Sequence, residues 1–241
     1  MEIIVLTDNI KEQLLKSKQN MKNSFIIILI TLGGSLLFFL TPIYYLGYFG
    51  ILIVIWQLNE IFKNSKIINI YNYGKEGEKY IKQLLKNNLS DEYIGFFGVP
   101  VKNGDIDCLV IGPTGAYAIE VKNHRGHIEY DEDGWRQIKV GLGGTTYEGT
   151  LKNPEKQILT SIHYLKDFLK QKNMDIYIRG VIVFTNPESN VFIKKQPANF
   201  DICSIDTLVE HIKNGKGKLS QEKINMIKNI LISFKRGGEN D

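Results

Sequence analysis

Apolar residues are spread unevenly along this chain. Residues 24–58 contain no charged residue and are dense in Ile, Leu, Phe and Tyr. Thr41-Pro42 divides the run, since proline disfavours helix in the residue before it. As helix, residues 24–40 would reach about 26 Å. That falls slightly short of the roughly 30 Å hydrocarbon core of a bilayer. Residues 43–58 are similar, so the pattern predicts two short spans joined as a hairpin. Gly33, Gly34, Gly47 and Gly50 would let the two helices approach closely, and Tyr44, Tyr45 and Trp56 suit the interfaces. A signal peptide fits poorly, because the run starts late, is too long and lacks a small-residue cleavage site. A buried core hairpin fits poorly too, because core helices seldom run so far without charge. Lys11, Lys16, Lys18 and Lys22 precede the run, Lys63 and Lys66 follow it, and the turn between carries no charge. The positive-inside rule then puts both ends in the cytoplasm, giving a multi-pass membrane protein with its large domain on that side.

Residues 59–73, rich in Asn, read as a linker. Beyond them the period changes. Residues 75–88 have helical spacing at Ile81, Leu84 and Leu85. Residues 93–99, 105–111 and 116–122 read as strands, separated by Asn103-Gly104 and by Gly112-Pro113-Thr114-Gly115. Asn153-Pro154 supplies a helix cap and first-turn proline, followed by a stripe of Ile158, Ile162, Leu165 and Leu169. Residues 176–184 form an apolar strand closed by Thr185-Asn186-Pro187. A short strand over 200–205, a helix capped by Asp206 and an amphipathic helix over 220–234 complete the chain. The organisation expected is a cytoplasmic segment (1–23), a transmembrane hairpin (24–58), a linker (59–73), an α/β domain (74–187) and C-terminal elements packing on it (188–241). The middle section runs α-β-β-β-α-β.

Composition narrows the classes only a little. A net charge of +4 allows a nucleic-acid or anionic-membrane partner without requiring one. Two cysteines, Cys108 and Cys203, with no CxxC, argue against a disulfide framework or structural zinc site.

The chemistry concentrates in the second and third strands. If residues 112–115 form a four-residue hairpin loop, Ile111 pairs with Ala116. Asp107 then falls opposite Glu120, and Asp105 opposite Lys122. Period-two alternation puts all four on one face. The other face carries Ile106, Cys108, Val110, Tyr117, Ile119 and Val121, and is core. Like charges on directly opposed strand positions destabilise a sheet. A divalent metal with oxygen ligands is the natural occupant between the two carboxylates, with Lys122 as a neighbouring cation.

Asp107 followed by Glu120-Val121-Lys122 resembles the PD-(D/E)XK nuclease signature. Its context is similar to the NERD (nuclease-related) domain: Gly74-Lys75-Glu76-Gly77-Glu78, Asp105-Ile106-Asp107, Gly112-Pro113-Thr114-Gly115, then Ile119-Glu120-Val121-Lys122-Asn123. Asn153-Pro154, Gln157 and His163 fit that family's helix. Two departures stand out, Ile106 where many relatives have proline and Ser161 where some have tyrosine. The resemblance covers residues 74–187 and implies a restriction-endonuclease-like α/β fold with a mixed sheet and an αβββαβ core. It also implies phosphodiester hydrolysis assisted by Mg²⁺ or Mn²⁺, with nucleic acid as partner, DNA ahead of RNA. Asp107, Glu120 and the Val121 carbonyl would ligate the metal, and Lys122 would act on the attacking water and the developing charge. Glu78, on the inward helix face with Ile81 and Leu85, would bind a metal water or a second ion. Gln157 would orient a phosphate.

Blander readings stand beside these. Asp107, Glu120 and Lys122 would also suit an exposed strand face with a cross-strand salt bridge. Glu78 would suit a helix N-terminus, His163 a packed position, and Lys152, Lys156, Lys166, Lys170 and Lys172 a solvated helix face. The insert over 124–152 reads as a hairpin turning at Asp133-Gly134 and a Gly-rich loop. A catalytically silent nucleic-acid-binding or scaffolding module, and a hydrolase of a small phosphodiester, are the competing functions. Deleting residues 1–58 is expected to turn an integral membrane protein into a soluble, folded one, as read by partition between membrane and soluble fractions.

Overall fold

A computed structural model describes every residue except Tyr44, Asn103, Leu142, Thr150 and residues 238–241, and every side chain except also those of Asn9, Ile10, Phe38, Phe39 and residues 234–237. The expected anchoring role of Tyr44 and the Asn103 half of one turn therefore lie outside the described residues. The chain divides into two compact units, one of residues 1–9 and 76–241 and one of residues 10–75.

The larger unit is built on a six-stranded mixed sheet of order β1-β2-β3-β4-β8-β10. Its strands are β1 (Glu2–Val5), β2 (Ile94–Val101), β3 (Gly104–Gly112), β4 (Gly115–Lys122), β8 (Ile178–Phe184) and β10 (Phe200–Ser204). β2, β3 and β4 run antiparallel in turn, whereas β1 on β2, β4 on β8 and β8 on β10 are parallel. The α-β-β-β-α-β order expected from the sequence is present. The end of α2 (Leu46–Asn88) leads into β2, β3 and β4, and α3 (Pro154–Gln171) leads into β8.

Both faces of the sheet are covered. Ile158, Ile162, Leu165 and Leu169 of α3 pack on one face with Ile224, Ile227 and Leu231 of α5 (Gln221–Gly237). Ile81, Leu85 and Leu89 of α2 pack on the other with Leu208 and Ile212 of α4 (Ile205–Lys213). This is the arrangement that central strands buried on both sides require. Asn153 caps α3, its side-chain oxygen accepting from the Lys156 amide at 3.0 Å, with Pro154 in the first turn. The residue before α4 is Ser204, so Asp206 lies in the first turn, not at the cap as expected.

The insert after β4 does form the hairpin turning at Asp133-Gly134, as β5 (Gly126–Asp131) and β6 (Gly134–Val140). It grows into a second sheet of order β7-β6-β5-β9, with β7 (Thr146–Glu148) drawn from the Gly-rich loop and β9 (Ser189–Ile193) from the segment after β8.

Two expectations about the N-terminal part are corrected. Residues 1–23 are not a separate segment. Their first residues form β1, whose partners run from Glu2↔Ile94 to Val5↔Phe97, and Leu6 is buried in the core at 4% exposure. The run Ile3-Ile4-Val5-Leu6 has the β-branched content a strand favours. Residues 59–73 are not an extended linker either, since α2 continues through them. Asn is only modestly unfavourable in a helix, and Ile61, Phe62, Ile67, Ile68 and Ile70 sustain an apolar content that a linker lacks.

The smaller unit is a helical hairpin of α1 (Asn9–Phe39) and the first part of α2, broken at Thr41-Pro42 as expected. Its burial is inverted relative to a water-soluble core. Leu29, Ile30, Leu36, Phe49, Leu52 and Trp56 are exposed, whereas Ser17, Ser24, Ser35, Gln57 and Asn64 are buried. Both helices are long and apolar enough to cross a membrane. Gly50 lies at the helix contact, where a Cβ would sit 1.7 Å from Ser35 Oγ. Gly33 and Gly34, expected there too, have nothing within 4 Å of an added Cβ.

Because β1 completes the sheet, deletion of residues 1–58 removes a strand as well as the hairpin, and its product is expected to be destabilised. Leu6→Ala isolates that contribution. It should cost about 2–4 kcal/mol, the usual range for emptying a buried leucine site. Thermal and denaturant unfolding of the detergent-solubilised chain will measure it, with Leu15→Ala at an exposed helix position as the neutral control.

Candidate nuclease site

The expected register holds over most of the β3–β4 hairpin and then stops at an informative place. Gly112 pairs with Gly115, so the loop is the two residues Pro113-Thr114 rather than the four expected. Ile111 pairs with Ala116 as expected, and the ladder continues as far as Cys108↔Ile119. Beyond that pair the strands part. β3 stays with β2 through Val99↔Ile106 and Pro100↔Asp105, while β4 stays with β8 through Glu120↔Ile182 and Lys122↔Phe184. Asp107 and Glu120 are the next residues on the two strands, so the carboxylates stand at the point of division. Neither Asp107–Glu120 nor Asp105–Lys122 is a backbone pair, as simple extrapolation had it. Instead the Val121 amide donates to Asp107 Oδ2 at 2.7 Å, a side chain serving a strand amide beyond the end of the ladder.

A glycine marks the cause of this distortion. Gly98 of β2 stands between the pairs Phe97↔Cys108 and Val99↔Ile106, with φ +63°, a left-handed value that L side chains rarely adopt. Its carbonyl is held by the amide and hydroxyl of Thr7, at 3.1 and 2.8 Å. The alternation of the strand pair breaks here. Phe97 and Cys108 belong to the core on the α2 side, but Val99 and Ile106 belong to the core on the α3 side. Ile106 is thus on the other side of the sheet from Cys108, contrary to the single apolar face expected. A left-handed residue interrupts the pleat, so counting by twos across it fails.

Glu120 is the most confined charge in the group. It is 1% exposed, and its Oε1 accepts from Lys122 Nζ at 2.5 Å. Its Oε2 is enclosed and has no hydrogen-bond partner among the described residues. Lys122 Nζ also donates to Gln157 Oε1 at 3.0 Å, so α3 contributes through the residue just before its apolar stripe. Glu78 arrives from the opposite side of the sheet, on the face of α2 that carries Ile81 and Leu85. Its charge acts on Asp107. Of the residues singled out in the sequence, Asp107, Glu120, Val121, Lys122 and Gln157 are therefore linked by direct bonds, with Glu78 within electrostatic reach. His163 is apart from them, exposed and paired with Asp167 at 3.4 Å, so it is not a packed histidine. Lys152, Lys156, Lys166, Lys170 and Lys172 are all exposed.

The electrostatics follow from burial. Asp107 titrates well above the ordinary carboxylate range, first because of desolvation, then through the charges of Glu120 and Glu78. The Val121 amide and Lys122 oppose that shift without cancelling it. Glu120 is raised too, by desolvation first, against the pull of Lys122. His124, just after the motif, is lowered to about 4 by desolvation and by Lys122 and Lys139, and is neutral at physiological pH.

Sequence reading missed three contributors. Gly98 looked like any strand glycine, Thr185 like the end of a strand, and Gly77 like part of a motif without a task. A Cβ on Gly77 would lie 2.6 Å from Thr185 Oγ1, 3.2 Å from Val121 Cγ1 and 3.3 Å from Asn123 Cβ. Gly77 therefore lets α2 approach the ends of β4 and β8, which brings the adjacent Glu78 toward Asp107. The Gly-Glu pair inside Gly74-Lys75-Glu76-Gly77-Glu78 was the available signal.

The donor set is oxygen-rich and anionic, the chemistry a hard divalent cation takes. Among the described residues no three His, Cys, Asp or Glu side chains gather closely enough to hold a metal alone. Two carboxylates, a backbone carbonyl and water would make up the shell.

A mixed sheet between helices, with carboxylates and a lysine where two strands part, defines a nuclease-like α/β core. Residues 73–185 match the family model of NERD, the nuclease-related domain. No curated protein and no solved structure matches it.

Both carboxyls have folded pKa values above their unfolded ones, so their ionisation opposes folding. The penalty is absent below the ordinary carboxylate pKa and grows as pH rises through the raised value. In EDTA, Glu120→Gln should therefore melt above the wild type at about pH 8, with the gap closing toward about pH 4.5. A variant that melts no higher at the upper pH would mean that the Lys122 pairing outweighs desolvation.

Proposed function

We propose that the protein is a membrane-anchored, metal-dependent nuclease that hydrolyses phosphodiester bonds of DNA, or alternatively of RNA. The observation that carries this reading is Glu120, buried, with one oxygen on Lys122 and the other enclosed without a partner among the described residues. A fixed scaffold has little reason to maintain that arrangement beside a second raised carboxyl, because each desolvated charge costs stability unless it is matched.

Asp107, Glu120 and the Val121 carbonyl would hold Mg²⁺ or Mn²⁺. Bound there, the cation would supply Lewis-acid polarisation of the phosphate and a more acidic water. The remaining chemistry belongs to the chain. Lys122, fixed by Glu120 and Gln157, presents an ammonium toward charge developing on the phosphate oxygens, where a preorganised donor is most effective. Gln157 gives its Oε1 to Lys122, which leaves its NH₂ group to hold a non-bridging phosphate oxygen. Glu78 would accept from a water at the site, and neutral His124 adds no competing positive charge.

The inverted burial of the hairpin supports anchoring in a bilayer, since buried polar and outward apolar side chains are what a lipid solvent selects. Both flanks of the hairpin belong to the same folded unit, and this calls for an even number of crossings. With lysines on both flanks, the nuclease-like domain would lie in the cytoplasm.

Cleavage assays of the detergent-solubilised chain on single- and double-stranded DNA and on RNA, with Mg²⁺ or Mn²⁺, test the reading. Lys122→Ala should slow cleavage about 10²–10³-fold, by analogy with loss of an oxyanion donor, with nucleic-acid affinity little changed. A wild type that binds these polymers but cleaves none would instead establish the silent binding module.

A further inference from the structure

At the other end of β4 from the carboxylates, a cleft of about 1030 Å³ opens between the β3–β4 turn, the start of β8, α4 and the loop leading to α5. Its edge at Ala116 is separated from Glu120 by about 13 Å of strand, at the usual rise per residue. The nuclease reading uses nothing in it. Its volume is that of a small-molecule site rather than of a surface wrinkle.

The floor is fixed. The Arg179 guanidinium donates through Nε and Nη2 to the two oxygens of Asp201, each at 2.5 Å. His211 Nε2 lies 3.1 Å from the same carboxylate, and the Tyr117 ring meets the His211 ring edge-on. The bidentate pairing holds Asp201 below the ordinary carboxylate range despite desolvation.

One wall is the segment Asn214-Gly215-Lys216-Gly217-Lys218. Its glycines are pressed against the β3–β4 turn. A Cβ on Gly215 would fall 1.5 Å from the Tyr117 hydroxyl oxygen, and one on Gly217 2.6 Å from the Thr114 carbonyl oxygen. Leu219 donates its amide to the Pro113 carbonyl at 3.2 Å, and the Tyr117 hydroxyl donates to the Thr114 carbonyl at 2.8 Å. The wall is thus tied down before any ligand arrives, which lowers the entropic cost of binding. The residues alternating with those glycines, Lys216 and Lys218, line the cleft and are exposed. Among the described residues neither has an ion-pair partner. By contrast Arg179 is taken by Asp201, and Lys223 reaches the Asp175 carbonyl at 3.1 Å. Tyr177, 67% exposed, offers an aromatic face at the rim.

We propose that this cleft binds a free nucleotide, with Lys216 and Lys218 on its phosphate and Tyr177 against its base. Two unmatched ammonium groups on a rigid concave wall suit one phosphate group. An aromatic face nearby suits the base, since stacking accepts any base. A long polyanion is disfavoured, because Asp175 and Glu210 share the lining with the lysines and would repel successive phosphates. The site is separate from the one that would cut nucleic acid.

Calorimetric titration of the full chain in detergent with AMP, GMP, CMP, UMP and inorganic phosphate tests the proposal. At least one nucleotide should bind saturably and more tightly than phosphate. Lys216→Glu/Lys218→Glu should weaken it at least about tenfold, as expected for reversing two direct charge contacts. The milder Lys216→Ala/Lys218→Ala pair guards against a folding defect. Tyr177→Ala should weaken nucleotide but not phosphate. Glu120→Gln should bind normally, so failure here and failure of the nuclease reading remain distinguishable. The proposal is overturned if no nucleotide binds, if phosphate binds as tightly as every nucleotide, or if the lysine variants bind unchanged. It is overturned equally if affinity rises with the length of a single-stranded oligonucleotide.

Discussion

A carboxylate that accepts a strand amide where a sheet divides is the interaction from which the rest of this site follows. Asp107 takes the Val121 amide just past the last β3–β4 pair. That bond keeps the backbone of β4 satisfied where β3 parts from it, so the strands divide without leaving the Val121 amide unpaired. Glu120 then stands just beyond the last β3–β4 pair, buried against β8, and Lys122 reaches both Glu120 and Gln157. Two glycines shape the place where the strands part. Gly98 lets β2 and β3 break their pleat beside Asp107, and Gly77 lets α2 close in from beneath. Burial raises both carboxyls, Asp107 further through the charges of Glu120 and Glu78, and Glu120 against the pull of Lys122.

Much of this was legible in the sequence wherever one local rule was enough. The turn signal Gly112-Pro113-Thr114-Gly115 and period-two alternation placed the β3–β4 pairing to within the last few residues, although its two glycines pair with each other rather than lying in the loop. The cap at Asn153 and the stripe from Ile158 to Leu169 placed α3. What escaped depended on partners distant in sequence. Nothing near Ile3 or Leu6 announces a strand partner some ninety positions away, and nothing near Gly98 says that its φ is positive. Asn-rich residues 59–73 were misread because composition suggested punctuation, whereas a long helix tolerates Asn when both ends are held. Alternation failed at Ile106 for the same kind of reason, a backbone conformation set by Thr7 from outside the strand.

The two units obey opposite solvent rules in one chain. In the larger, apolar side chains fill both faces of the sheet and charges lie outside, with the site as the exception. In the hairpin, serines, Gln57 and Asn64 turn inward while leucines and aromatics turn out. The cleft lined by Lys216 and Lys218 belongs to the first regime. It is a concave surface one wall of which is set by the close packing of Gly215 and Gly217 on the β3–β4 turn.

The position of β1 also orders events in time. Thr7 and Gly98 bond across 91 residues, and the whole hairpin lies between them. At ordinary elongation rates of about 5–20 residues per second, the first strand waits on the order of 5–20 s for its partner. The hairpin emerges during that interval. Assembly of the sheet edge, and with it the Thr7 clamp on Gly98, therefore follows emergence of the hairpin. A chain whose hairpin fails to settle would carry its opening strand unpaired, and the Gly98 carbonyl beside the carboxylate fork would lack its Thr7 partners.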